Sequence, residues 1–101
     1  NDIHGEKLRN SVISTIEEMI NDGYTSVTIL CNTLNEARDL ERKLMIPLSV
    51  SGKISIKALP VYLAKGLEYD CIITVNVEDK LMYTACTRAM HKLAVYKNCS
   101  L

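Results

Sequence analysis

Hydrophobic and polar positions follow two different periods along this chain, and these periods predict alternating helices and strands. Apolar residues recur at helical spacing over residues 6–22, and Gly23 follows them as a stop signal, so this segment predicts a first helix. The run SVTILC, residues 26–31, is short and rich in β-branched residues, with almost no polar alternation. Such a run is typical of a strand that is buried on both faces of a parallel sheet.

The following segment predicts a second helix and a second strand. Thr33 and Glu36 have the spacing of a capping box, which indicates a helix start. Pro47 is expected to end this helix, because proline disrupts a helix interior. The sequence VSGK, residues 50–53, predicts a turn, and ISIKAL, residues 54–59, predicts a strand.

The last part of the chain predicts a loop, a strand, a third helix and a final strand. A proline and a glycine punctuate residues 60–70, which predicts a loop, and CIITVNV, residues 71–77, predicts a buried strand. The sequence LMYTACTRAMHKL, residues 81–93, predicts a helix, and LAVY, residues 93–96, predicts a last strand. The third helix has one apolar stripe, formed by Leu81, Met82, Ala85, Cys86, Ala89, Met90 and Leu93.

These elements, in the order α-β-α-β-loop-β-α-β, predict an α/β fold with three layers. Helices that alternate with buried strands favour a parallel sheet with helices on both faces. We expect residues 1–101 to form one domain, because a chain of this length supports one hydrophobic core. Ligands of such sheets bind beyond the carboxyl ends of the strands. The loops at 60–70 and 76–80 are therefore candidates for a site.

The polar face of the predicted third helix raises a question of function. It contains no acid and consists of Tyr83, Thr84, Thr87, Arg88 and His91. It is either an ordinary solvated surface or a face on which an anion docks near Arg88. We interpret His91 as a surface residue near the helix carboxyl terminus, where a cation is favourable, and Cys86 as a core residue.

Composition narrows the class of protein. The chain contains five tyrosines but no phenylalanine or tryptophan, so the core must be aliphatic. Acidic and basic residues balance, which makes strong autonomous binding to nucleic acid unexpected. No apolar run approaches the roughly 20 residues that span a bilayer. Metal binding is not expected, because no C-x-x-C pair occurs among Cys31, Cys71, Cys86 and Cys99 and the two histidines are far apart. Three of the four cysteines lie in apolar runs, so a reduced cytoplasmic compartment is the simplest interpretation.

The standard phosphate-binding and catalytic motifs are absent from the sequence. There is no G-x-x-x-x-G-K-[ST] loop, no G-x-G-x-x-G and no evident nucleophilic triad. The residues alone therefore predict a small cytoplasmic α/β domain with a candidate anion-binding face near Arg88, and they do not predict a reaction.

Two stretches, in order, resemble motifs of the UvrD/Rep class of superfamily 1 DNA helicases. YLAKGLEYDCII, residues 62–73, resembles their motif V, and LMYTACTRAMHKL, residues 81–93, resembles their motif VI. A weaker likeness to motif IV lies in VTILCNTLNEAR, residues 27–38. The sequences of the two stretches are most similar to those of the HelD, or DNA helicase IV-like, branch. The resemblance implies a second, C-terminal RecA-like motor domain with the fold of P-loop NTPases, and hence a fragment of a longer protein.

The resemblance assigns nucleotide-binding roles to five residues. Arg88 matches the arginine finger, the catalytic residue that contacts the γ-phosphate of ATP. Glu68 matches the motif V carboxylate near the ribose, and Gly66 would let the backbone approach the nucleotide. Tyr83 and Thr87 are expected to brace the finger helix.

Nucleic-acid contact is implied by the resemblance with some departures from the family pattern. Lys65 is expected to contact phosphate, and Tyr62 could stack on a base. Tyr62 and Pro60 stand where UvrD-type enzymes have a histidine and a threonine that serve the DNA strand. The motif IV arginine aligns with Asn32, and Arg38 is the next basic residue.

The implied function is that of an ATP-dependent DNA helicase or translocase in which this chain is one half of the motor. ATP and Mg²⁺ would be held on a missing first RecA-like domain, so we expect the isolated chain to hydrolyse no ATP. The expected partners are that first domain and single-stranded DNA, without a membrane. Two alternatives stay open: a non-catalytic module that binds a protein such as RNA polymerase, and an unrelated doubly wound domain with a chance T-R-A sequence.

Overall fold

The computed structural model describes residues 3–48, 55–97 and 99–100 of the chain. Three α-helices and six strands follow each other within these residues. In chain order the elements are β1 (Ile3–His4), α1 (Gly5–Asn21), β2 (Ser26–Cys31), α2 (Leu34–Leu48), β3 (Ser55–Pro60), a 3₁₀ helix (Val61–Leu63), β4 (Tyr69–Val75), α3 (Asp79–Thr87), β5 (Ala89–Tyr96) and β6 (Cys99–Ser100).

The central sheet has four parallel strands in the order β3-β2-β4-β5. A second, two-stranded parallel sheet pairs β1 with β6. The order places β2 and β4 in the middle, and both are buried along most of their length. This position explains their continuous apolar sequence, because a central strand under helices contacts apolar groups on both sides. The predicted parallel α/β sheet is confirmed.

Helices cover both faces of the sheet, so the predicted three-layer arrangement is also confirmed. Successive strand residues point to opposite faces. One face packs against α1 and α2, and we call it the α1/α2 face; its sheet residues include Ile29, Cys71 and Ile73. The other packs against α3 and residues 61–64, and we call it the α3 face; its sheet residues include Leu30 and Ile72.

The second helix begins where the sequence predicts it. The backbone N–H of Glu36 donates to Thr33 Oγ1 over 3.2 Å, and the N–H of Thr33 donates to Glu36 Oε1 over 3.3 Å. This reciprocal pair is a capping box. The helix extends to Leu48, one residue beyond Pro47. The predicted turn at 50–53 lies outside the described residues.

The prediction of one helix over residues 81–93 is wrong in its second half. α3 ends at Thr87, and Arg88 is its C-cap residue. Residues from Ala89 onward form β5 and pair with β4. Pairing with the buried central strand β4 satisfies the backbone groups of β5 that point toward it, and this overrides the helical spacing of the apolar side chains. Cys86, expected in the core, is only partly buried.

Candidate functional site

The segment between β3 and β4 crosses the α3 face of the sheet. β3 ends at the carboxyl edge, where the parallel strands end, and β4 starts at the amino edge, where they begin. Val61 and Ala64 are fully buried in the core of the α3 face, so this part of the crossover lies against the sheet. Residues 65–68 then emerge as an exposed turn at the amino edge.

Gly66 allows that turn to form. Its φ angle is 79°, in the left-handed region that glycine adopts without a steric penalty. An added Cβ would find no atom within 4 Å, so the space around Gly66 is open. Glycine is therefore required here for its backbone conformation rather than for close packing.

Arg88 reaches the same edge from the opposite direction. Its backbone N–H donates to the carbonyl of Ala85 over 3.2 Å and closes the last turn of α3. Its carbonyl accepts the N–H of Tyr69, the first residue of β4, over 2.8 Å. Because Glu68 directly precedes Tyr69, the fold brings together Gly66, Glu68 and Arg88 at the amino edge of β4 and β5.

The Arg88 side chain has no carboxylate partner in the part of the chain that the structure describes. One terminal nitrogen, Nη2, donates to Thr87 Oγ1 over 3.3 Å, and that hydroxyl donates to the carbonyl of Thr84 over 2.9 Å. The Nε of Arg88 is buried without a hydrogen-bond partner. A buried donor without a partner costs roughly 1–3 kcal/mol. Arg9 Nε is buried without a partner in the same way, so this feature does not distinguish Arg88. Within the described residues the Arg88 guanidinium makes one side-chain hydrogen bond and no ion pair.

The other predicted site residues lie on two elements: Tyr62 and Lys65 on the crossover, and Tyr83 and Thr87 on α3. Tyr62 and Lys65 are exposed on the crossover, and the Tyr62 side chain is 54% exposed. The Thr87 hydroxyl accepts a hydrogen bond from Arg88 Nη2, which leaves its expected role in bracing a finger helix a prediction. Tyr83 is 82% exposed, and no hydrogen bond joins it to Arg88 within the described residues.

Asn32, which aligns with the motif IV arginine, lies at the carboxyl edge, at the opposite end of the sheet from Arg88. Its amide nitrogen donates to the carbonyl of Asn76 over 2.7 Å, and its amide oxygen accepts the N–H of Glu78 over 2.9 Å. Asn76 adopts a positive φ of 55°, which asparagine tolerates better than most residues. Asn32 therefore ties the ends of β2 and β4 together.

Sequence reasoning missed this asparagine link, although a signal was available. Asn32 and Asn76 each directly follow a buried strand, and the two strands are neighbours in the sheet. Of the two candidate loops, residues 76–80 lie at the carboxyl edge, directly after β4. Residues 60–70 begin there but end at the amino edge, beside Arg88.

Arg38 is the other basic residue near motif IV. Within the described residues, no hydrogen bond or ion pair joins it to Arg88. It lines an open groove along the outer side of α2, together with Asn35, Asp39, Glu41 and Arg42. Arg42 pairs with Asp39, and Glu41 accepts the N–H of Ala58 from β3. The groove combines acids and bases, so it has no clear preference for an anion.

His91 lies on β5 and not on a helix. Its ring stacks on Tyr24 with 5.5 Å between ring centroids, and its Nε2 is 3.8 Å from Asp70 Oδ1. Both side chains are half exposed. The interpretation as a surface residue is confirmed, whereas its placement at a helix end is wrong.

Cys31 and Cys71 are buried, and their surroundings lower the reactivity of both thiols. Burial, followed by the charge of Glu36, raises the pKa of Cys31 to about 12. Burial also raises the pKa of Cys71. A thiol with a raised pKa is a poor nucleophile and a poor metal ligand at neutral pH. Among residues 3–48, 55–97 and 99–100, no three histidine, cysteine or acidic side chains are grouped as a metal site would require.

Comparison with known proteins supports a helicase-related fold. The chain is similar over its full length to the crystal structure of the C-terminal domain of a possible DNA helicase from Lactobacillus plantarum WCFS1. The two share 25% sequence identity with a TM-score of 0.77, and this chain covers 74% of that domain. No protein-family model matches the chain, and no curated protein matches it by sequence. The α/β fold is therefore that of a helicase C-terminal domain, and it is consistent with a RecA-like architecture.

The described helices give no sign of a membrane span. None of them combines the length and the apolar character that crossing a bilayer requires.

Proposed function

We propose that this domain is the second motor domain of an ATP-dependent DNA helicase or translocase, with Arg88 as the arginine finger. The observation that carries the proposal is the Arg88 guanidinium, which within the described residues forms no ion pair and has a buried Nε without a partner. A buried unsatisfied donor in a native structure calls for a functional explanation. The likeness to the C-terminal domain of a possible DNA helicase supplies the context.

The proposal places the nucleotide phosphate at the amino edge, because Arg88 lies there, and not at the carboxyl edge where ligands of such sheets usually bind. A planar guanidinium can donate to two phosphate oxygens at once and offset the charge that develops there. Arg88 belongs to the junction of α3 and β5, and its backbone is held at both N–H and carbonyl, so the side chain starts from a fixed point. Gly66 keeps the neighbouring turn open, and Glu68 is exposed beside it, within reach of a ribose hydroxyl in this proposal.

The nucleotide and its Mg²⁺ would be bound mainly by a first RecA-like domain. The sequence has no Walker A loop, so this chain would complete a site rather than build one. Bound ATP would supply the phosphoanhydride whose cleavage drives the motor. This chain would contribute the positive charge of Arg88 at the γ-phosphate and the carboxylate of Glu68. A Walker A sequence upstream in the same reading frame is the simplest genetic support.

Single-stranded DNA would contact the exposed crossover. Tyr62 offers an aromatic ring to a base, and Lys65 offers a charge to a phosphate. The two side chains belong to the same segment as Gly66 and Glu68, so a shift of this segment on binding DNA would reach the nucleotide edge directly.

The experiment that tests the proposal is the ATPase rate of the protein that contains both motor domains. Arg88→Ala is expected to lower kcat by about a thousandfold or more, because arginine fingers contribute that much to phosphoryl transfer. Arg88→Lys is expected to lose most of this effect as well, since lysine cannot form the bidentate contact. Arg42→Ala is the matched control, because Arg42 lies on the exposed side of α2. Wild-type turnover in Arg88→Ala would overturn the proposal.

A second candidate function is a non-catalytic module that binds a protein such as RNA polymerase. It is favoured by Asn32, which stands in place of the motif IV arginine and is engaged in a structural link. The two candidates differ in one measurement. Stimulation of ATP hydrolysis by single-stranded DNA in the two-domain protein supports the motor, and its absence together with polymerase binding supports the module.

A further inference from the structure

The middle of the chain has a local positive charge, although the charges of the whole chain balance. No aspartate or glutamate occurs between Glu41 and Glu68. The basic residues of this stretch are Arg42, Lys43, Lys53, Lys57 and Lys65. Arg42 and Lys43 belong to α2, and Lys53 lies outside the described residues. The fold therefore decides whether the remaining two lysines share a surface.

The alternation of side chains along β3 places Lys57 on the α3 face of the sheet. Ile56 and Ala58 belong to the core of the α1/α2 face, so Lys57 between them points to the opposite face. The crossover from β3 to β4 runs over that same face, where residues 61–64 join the core. Lys57 and Lys65 therefore belong to the same side of the molecule, and α2 belongs to the other.

α3 leaves the β3 side of this face open. The helix packs mainly against β4, β5 and the 3₁₀ helix, and β3 is the edge strand farthest from β5. Ser55 and Lys57 are exposed, and Leu59 is partly buried against the core of the α3 face. We call the surface formed by these three side chains the β3 shelf. Within the described residues it is accessible from solvent along the side of the crossover.

An aromatic ring, and not an acid, positions the Lys57 ammonium group. Lys57 Nζ lies 5.2 Å from the centroid of the Tyr69 ring, which is within the range of a cation–π contact. The backbone N–H of Tyr69 donates to the carbonyl of Arg88 over 2.8 Å, so the ring extends from a fixed backbone position. A ring orients an ammonium group without neutralising it. The charge of Lys57 therefore stays available to an anion.

The absence of an acidic partner separates this surface from β5 and α3. Lysines on or beside those elements form ion pairs with acids: Lys80, Lys92 and Lys97. Among residues 3–48, 55–97 and 99–100, no ion pair engages Lys57 or Lys65. The exposed ring of Tyr62 lies on the same crossover as Lys65. Positive charge beside an exposed aromatic ring is the chemistry that binds the phosphates and bases of a single strand.

We propose that Lys57 is a further contact for a phosphate of single-stranded DNA, and that the strand lies along the β3 shelf beside the crossover. This inference rests on the proposed function, in which DNA contacts Tyr62 and Lys65. The nucleotide at Arg88 is a different anion, because β2 and β4 separate β3 from β5 and three strand spacings amount to roughly 14 Å. Lys57 would therefore act on DNA affinity and not on the γ-phosphate.

The salt dependence of DNA binding tests the proposal. The measurement is the fluorescence anisotropy of a labelled oligothymidylate with the protein that contains both motor domains, at several salt concentrations. Lys57→Gln is expected to reduce the slope of log K against log salt by about 0.7, because each phosphate contact with a single strand releases about that many counterions. At 0.1 M salt this corresponds to about a fivefold loss of affinity. Lys57→Arg keeps the charge and should keep the slope.

Lys43→Gln is the matched control, because it removes one exposed charge from α2, on the other side of the sheet. It should leave the slope unchanged, and an equal fall in both variants would overturn the inference. An unchanged slope in Lys57→Gln would overturn it as well, while the effects of the Arg88 substitutions on ATP hydrolysis would still support the finger. A wild-type protein that binds no single-stranded DNA would overturn both this inference and the proposed motor.

Discussion

At the scale of the residue, single polar side chains decide how the two ends of the sheet differ. At the carboxyl edge, the side-chain amide of Asn32 donates one hydrogen bond and accepts another, and both bonds are made within the fold. At the amino edge, Arg88 keeps a buried nitrogen without a partner. Asn32 therefore stabilises the fold, whereas the unpaired Arg88 nitrogen is unfavourable to the fold unless a partner from outside the described residues reaches it.

A substitution at Asn32 tests its structural role. Asn32→Ala is expected to lower the free energy of unfolding by about 1–3 kcal/mol, because it removes the side-chain hydrogen bonds to the Asn76 carbonyl and the Glu78 N–H. Asn32→Arg, which introduces the residue of motif IV, should destabilise the domain similarly. Urea unfolding measures both. Asn35→Ala, at an exposed position on α2, should change stability by less than about 0.5 kcal/mol.

At the scale of the element, α3 and β5 share one stretch of sequence and divide it at Arg88. The helix ends where the carbonyl of Arg88 turns to Tyr69, and the strand starts one residue later. Between the pairs Tyr69–Ala89 and Cys71–Lys92, β4 advances two residues while β5 advances three. This bulge lies directly after Arg88. A bulge of this kind can re-aim the chain beside a functional residue.

The two ends of this α3–β5 unit are tied by an ion pair whose pKa effect can be measured. The hydrogen bond from Lys97, and then its charge, lower the pKa of Asp79 below 3.8. NMR titration is expected to show this lowered value, and Lys97→Ala should return Asp79 to its ordinary range. The pair stabilises the fold at pH values above 3.8 and loses that effect as the pH falls through the lowered pKa. An unchanged Asp79 titration in Lys97→Ala would contradict this assignment.

At the scale of the whole molecule, the two faces of the sheet are covered unequally. α1 and α2 cover one face with two long helices, whereas the α3 face has a nine-residue helix and the 3₁₀ segment. The core of the α3 face depends on few side chains, and Leu30 is one that is fully buried there. The thinner layer is also the one that carries the crossover and Arg88.

This thin layer should be sensitive to loss of volume. Leu30→Ala is expected to lower the free energy of unfolding by about 2–5 kcal/mol, because few neighbouring side chains can move to fill the cavity. Thermal or urea unfolding of the 101-residue chain checks this value. Leu34→Ala removes the same atoms from a partly exposed site and should cost less than about 1 kcal/mol. Equal losses in the two variants would argue against a packed core on this face.

Local sequence by itself determined the helices and strands whose signals are contained within a few residues. β2 occupies the predicted residues, and the capping box of α2 forms as its spacing indicates, because both depend on short-range hydrogen bonds and continuous apolar runs. The apolar side chains of residues 89–93 have helical spacing, and yet these residues form a strand. Their backbone pairs with β4, which lies about twenty residues earlier in the chain, so the local pattern cannot reveal this pairing.

Only the tertiary structure decided where the site residues meet. The spacing of Glu68 and Arg88 along the chain contains no information about the Tyr69–Arg88 hydrogen bond that brings them together. The same holds for the asparagine link, which joins residues 44 positions apart across neighbouring strands. Local sequence specifies backbone preferences, whereas the burial and pairing that place a guanidinium at one edge of a sheet arise only when distant segments pack together.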